Sequence, residues 1–117
     1  MDYYLLADMT VQIGYELAVA GAETYRVEET MRRVIEAYGT EGQVFAIPNC
    51  VAVSFVTPNT KPLAIMKRVS YHGNDLERIE KLNALSRRIC AEVPEPEEAQ
   101  RWLKETTAAI RSYAVWT

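Results

Sequence analysis

Apolar residues recur along the first third of the chain at helical spacing. Leu6, Met9, Ile13, Leu17 and Ala20 form one stripe, and Val27, Met31, Val34, Ile35 and Tyr38 form a second. Each predicts an amphipathic helix. Gly39 follows the second stripe at the position where a left-handed residue usually ends a helix, and Gly21 is placed to do the same for the first. The period then changes from helical to alternating. "QVFAI", "VAVSFV" and "LAIMKRV" are short, β-branched and aromatic, and "PN" and "TPNTKP" separate them. In the middle run Val51, Val53 and Phe55 share one face, while Ala52, Ser54 and Val56 share the other. Connections this short join only antiparallel neighbours, so the block reads as a three-stranded meander.

Helical spacing returns at "NDLERIEKLNALSRRICAEV", with Leu76, Ile79, Leu82, Leu85 and Ile89 as its buried face. Asn74 and Glu77 have the spacing of a capping box, which starts this helix at about residue 75. Pro94 ends it. Pro96 suits the first position of a last helix, with Glu97 and Glu98 at its positive end. Ala99, Trp102, Leu103, Thr106, Ile110 and Tyr113 line that helix. The order is ααβββαα. It predicts an α+β fold in which the helices pack on one face of a small antiparallel sheet.

The length, 117 residues, corresponds to a single domain spanning 1–117. Hydrophobic residues make up 49% and charged residues 25%, an ordinary globular balance that excludes a disordered tail. The net charge of −3 and the scattered Arg and Lys pairs give no track for nucleic acid. Residues 1–60 hold eight acids against three bases, and residues 61–117 hold ten bases against eight acids. Opposed halves of this kind suit a domain that docks on itself or on a copy of itself. No apolar run approaches the roughly 18–20 residues of a membrane span, and the first residues lack a basic leader. The chain taken alone therefore reads as soluble and cytosolic.

Cys50 and Cys90 sit among apolar neighbours, as buried reduced thiols do. A metal site would need both of them together with the lone His72, without ligand spacing, so neither metal nor cofactor is expected. Ser54 lacks the Gly-x-Ser-x-Gly turn of a nucleophile, and His72 has no evident orienting acid. The glycines are isolated and form no phosphate loop.

The second predicted helix holds the polar candidates. Thr24 and Glu28, four residues apart, run along one edge of its apolar stripe. Arg26 and Arg33 lie on the opposite side, with Glu29 beside both. Arg32, four residues after Glu28, is spaced for an exposed ion pair with it. Thr24 reads either as the helix N-cap or as a functional hydroxyl. Arg26, Glu29 and Arg33 read either as a solvated charge ladder or as a partner surface.

"GAETYRVEETMRRVIEAYG", "DLERIEKLNALSRRI" and the strand block between them resemble the amino-terminal cytosolic part of the ThrE-like threonine/serine exporters. The resemblance covers nearly the whole chain. Its sharpest element is Gly21-Ala22-Glu23-Thr24 running into Arg26-Val27-Glu28, supported by Leu82-Asn83-Ala84-Leu85. It implies a gating or assembly module, without enzymatic activity, at the cytoplasmic face of a membrane exporter of amino acids or small carboxylates. The implied partners are a transmembrane portion absent from this chain, further copies in a homo-oligomer, and an amino-acid ligand. Thr24, Arg26, Glu28 and Glu29 are the implied solute or contact residues. Such exporters continue into transmembrane helices, and "SYAVWT" falls about where the first would begin. Tyr113 and Trp116 would suit a nearby membrane interface. The alternative is a stand-alone soluble hydrolase-like or ligand-binding domain.

Overall fold

The computed structural model describes residues 1–59 and 61–116, with side-chain surroundings as far as Ile110. Helices α1 (Tyr3–Ala20) and α2 (Thr24–Ala37) lead into strands β1 (Gly42–Ile47), β2 (Cys50–Val56) and β3 (Pro62–Arg68). Helices α3 (Leu76–Glu92) and α4 (Pro96–Trp116) follow. The expected α+β order is the observed one. The strands pair antiparallel in the order β1-β2-β3, with Phe45, Ala52 and Met66 abreast in one row. The side chains of Tyr113 and Trp116, assigned above to a helix stripe and a membrane interface, lie outside the described residues. Among the described residues no helix is long and apolar enough to cross a membrane.

The core sits between the inner face of the sheet and the helices. Val51, Val53 and Phe55 point into it, as their alternation predicts. Helix α1 differs from the single-stripe expectation. It packs against α2, β2, β3, α3 and α4, and Ala7, Thr10, Val11, Gly14 and Ala18 are buried along with the stripe. A helix enclosed on most sides needs small residues where neighbours come close. At Gly14 a Cβ would stand 2.4 Å from Met31 Sδ. Helix α1 is the hub of the fold, and α3 and α4 pack on it as a second helical layer.

The start of α2 also differs from expectation. Glu23 is the N-cap, extended and with no side-chain cap bond, and Thr24 is already helical. The Glu23 carbonyl accepts from Arg26 N (2.9 Å) and Val27 N (3.0 Å). The chain leaves α1 through Gly21 (φ 100°) and re-enters a helix after two residues, so the tight turn sets the boundary.

At α3 the cap is Asp75, whose carboxylate accepts from Arg78 N at 3.0 Å, and not the neighbouring Asn74. The reason is tertiary. Gly73 N donates to Val19 O (2.6 Å) and Asp75 N donates to Ala20 O (2.9 Å), which fixes the approach to α3. Together with Gly21 N to Ala18 O and Ala22 N to Leu17 O, these bonds satisfy all of the last four carbonyls of α1. Leu76, expected in the buried face of α3, is exposed, because the apolar contact begins one turn later at Ile79 and Leu82. Asp75→Ala should cost about 1 kcal/mol in urea unfolding, whereas Asn74→Ala should be close to neutral.

Candidate functional site

Helices α2 and α3 pack side by side and leave between them a polar groove of about 710 Å³. The apolar stripes of both helices are spent on the core. The charged residues flanking those stripes therefore converge on the outer seam. Helix α2 contributes Arg26, Glu29, Thr30, Arg33 and Glu36, and α3 contributes Asn83, Ser86, Arg87 and Cys90. Three guanidiniums thus face two carboxylates, an amide and two hydroxyls. Such a set can grip a carboxylate and an ammonium of one small molecule, or the charged side chains of a partner.

The internal pairing of the groove is loose. Arg33 Nη2 donates to Glu29 Oε1 at 2.7 Å, with both side chains largely exposed. Arg26 Nε donates to the Tyr25 hydroxyl at 3.2 Å. Ser86 Oγ donates to the Asn83 carbonyl at 2.8 Å. Exposed pairs of this kind contribute about 0–1 kcal/mol, so a ligand can displace them at little cost. Burial pushes the Cys90 thiol up from its ordinary value, partly offset by the neighbouring Arg33 guanidinium. Burial, reinforced by Cys90 and Glu95, likewise pushes the Tyr38 phenol up to about 12. Its hydroxyl donates to the Pro94 carbonyl at 2.5 Å and closes one end of the α2–α3 seam.

The four sequence candidates are not brought together. Arg26 and Glu29 line the groove. Thr24 lines a smaller hollow of about 190 Å³ with Ala18, Val27, Val51 and His72. Glu28 is half-buried and makes no hydrogen bond or ion pair among the described residues. The pair expected between Glu28 and Arg32 is absent there, and Glu29 pairs with Arg33 instead. Both pairs have the same spacing and each is worth a few tenths of a kcal/mol, too little for sequence to select one. Ser54 is exposed on the sheet and His72 donates from Nδ1 to the Ala18 carbonyl (3.2 Å), in separate hollows.

One polar feature had no local signal. Glu16 is 4% exposed and pairs with Arg78 of α3. Gln12 Nε2 donates to Glu16 Oε1 at 3.2 Å, and Lys67 Nζ of β3 donates to Gln12 Oε1 at 2.9 Å. Lys67 also stands 4.3 Å from the Tyr15 ring centroid. This chain of charges ties strand, hub helix and outer helix together. Gln12 and Glu16 stand four apart on α1, the only hint in the sequence.

Comparison with known proteins places this geometry in a wider setting. Residues 8–117 match the family ThrE, described as "Putative threonine/serine exporter". The chain is 28% identical over 102 residues to pheromone-regulated membrane protein 10 of Yarrowia lipolytica, covering 86% of this chain and 8% of that protein. To the protein of the same name from Saccharomyces cerevisiae it is 25% identical over 100 residues, covering 86% and 13%. The chain thus spans only a small part of the length of these relatives. No solved structure matches it.

Proposed function

Because the chain belongs to the ThrE threonine/serine exporter family, we propose that it is the extramembrane gating or assembly module of a membrane exporter. The exporter moves amino acids such as threonine or serine, or small carboxylates, and the module works at its cytoplasmic face. The α2–α3 groove carries this reading. It sets guanidiniums of Arg26, Arg33 and Arg87 against carboxylates of Glu29 and Glu36 in an open groove with room for a small zwitterion. Arg26 and Arg33 hold the solute carboxylate, and Glu29 and Glu36 hold its ammonium. Thr24 and Glu28, on the adjoining part of α2, contact the membrane-embedded portion of the exporter. Filling the groove draws α2 and α3 together, and the module passes that change to the pore.

In the full-length exporter, Arg26→Ala combined with Arg33→Ala should lower threonine efflux about tenfold, the loss expected from removing charge-assisted contacts. Stability should change little, because both side chains are exposed. Efflux from loaded cells is the readout, normalised to exporter in the membrane fraction. Unchanged efflux at normal expression would remove the groove from the mechanism.

A further inference from the structure

Helix α4 is long but lightly held. Of its residues from 96 to 110, Pro96, Ala99 and Leu103 are buried, against eleven of the eighteen residues of α1. Gln100 Nε2 donates to Asp8 Oδ2 of α1 at 2.9 Å, but Gln100 Oε1 is buried with no partner among the described residues. An unpaired buried acceptor penalises the docked helix, and it regains water when the helix leaves. Another tie, the Arg88 guanidinium 3.7 Å from the Trp102 ring centroid, lies at the surface. A unit with few buried contacts is one that opens by itself.

The turn that leads into α4 adds strain. Val93 closes α3 with φ 44° and ψ 59°, and among the described residues it is the one non-glycine with positive φ. A β-branched residue is poorly suited to that conformation. A residue before proline, here Pro94, is pushed toward extended backbone as well. The Val93 side chain is 41% exposed, so core packing does not compensate. Strained backbone persists where its surroundings over-determine it. Here two bonds do so. Val93 N donates to Ile89 O at 2.8 Å, and the Pro94 carbonyl accepts from the Tyr38 hydroxyl. The second bond comes from α2.

We propose that the α3–α4 turn is a strained latch, caught by the Tyr38 hydroxyl, and that α4 is a detachable helix. Tyr38 is the residue that ends α2, so a movement of α2 reaches the Pro94 carbonyl directly. When the catch opens, Val93 relaxes, Gln100 Oε1 returns to water, and α4 leaves its seat on α1 and α3. The latch gives the α2–α3 groove a route to α4, and that use of it rests on the gating reading above. The latch itself stands on the turn and on the thin burial of α4.

Residue-by-residue amide hydrogen exchange on the 117-residue chain tests the proposal. In the wild type, mid-helix amides 102–106 of α4 should exchange about tenfold or more faster than amides 10–17 of α1, which marks an opening short of global unfolding. Val93→Gly should slow exchange in α4 about fivefold, the relieved strain less the greater freedom of glycine once released. Tyr38→Phe loses the hydroxyl alone and should speed α4 exchange by about the same factor. Equal protection of α1 and α4 overturns the proposal, because α4 would then open only with the whole domain. So does a Val93→Gly chain in which α1 gains protection and α4 does not, since the turn would keep its strain when α4 opens. Exchange in α4 that is indifferent to Tyr38→Phe removes the catch. These measurements need no efflux, so an exporter indifferent to the Arg26 and Arg33 substitutions would sink the groove and leave the latch standing.

Discussion

Arg78→Leu should destabilise the domain by about 3 kcal/mol, the range for removing one partner of a buried ion pair. Glu16 would remain 4% exposed in the middle of α1, with Gln12 as its one remaining side-chain donor among the described residues. The loss would appear as a lower urea midpoint with an unchanged slope. The double variant Glu16→Leu, Arg78→Leu should recover much of the loss, because both charges leave the interior together. The two sites touch, so their effects should not add. If the double variant were instead as unstable as the sum of the single ones, the two residues would not act as a pair. The same network reaches β3 through Gln12 and Lys67. It fixes how the outer helix sits on the hub, and α3 is one wall of the proposed solute groove.

Gly21→Ala should cost about 2–4 kcal/mol. Two penalties combine. A left-handed backbone costs an alanine about 1–2 kcal/mol, and Gly21 has φ 100°. The added Cβ would also stand 2.3 Å from the Gly73 carbonyl oxygen, which is backbone and cannot swing aside. Relieving that clash moves the segment whose amides donate to Val19 O and Ala20 O, each bond being worth about 0.5–1.5 kcal/mol. For a domain of this size the melting temperature should fall by about 10–20 °C. Gly39→Ala is the internal comparison. Gly39 also has positive φ (70°), but a Cβ there meets nothing within 4 Å. It should show the backbone penalty alone, about 1 kcal/mol. Equal losses at the two glycines would mean that the contact with Gly73 carries no energy.

Much of the fold was legible because apolar spacing reports directly on burial. Val27, Met31, Val34 and Ile35 are buried as their stripe predicts, and the meander follows from strand alternation and short turns. The two misread helix starts have different causes. Thr24 and Asn74 both carry good capping chemistry, yet the caps are Glu23 and Asp75. A cap is worth about 1 kcal/mol; the tight turn at Gly21 outweighs it at α2, and the bonds from Gly73 and Asp75 to α1 outweigh it at α3. Half of the candidate site was legible as well. Arg26, Glu29 and Arg33 were placed correctly on one side of α2, since helical geometry fixes that. Their partners Asn83, Ser86 and Arg87 were not, because no local pattern says which face of α3 meets α2.

Determined by the sequence itself were the seven elements, their order and the inner face of the sheet, all of which rest on spacing within a short stretch of chain. Tertiary structure alone decided three things: that α1 is a buried hub, that Glu16 meets Arg78 across 62 positions, and that Arg26 and Arg87 share a groove. Each depends on how separate elements are turned toward one another. That rotation is set by the summed packing of the whole core, which no single segment encodes.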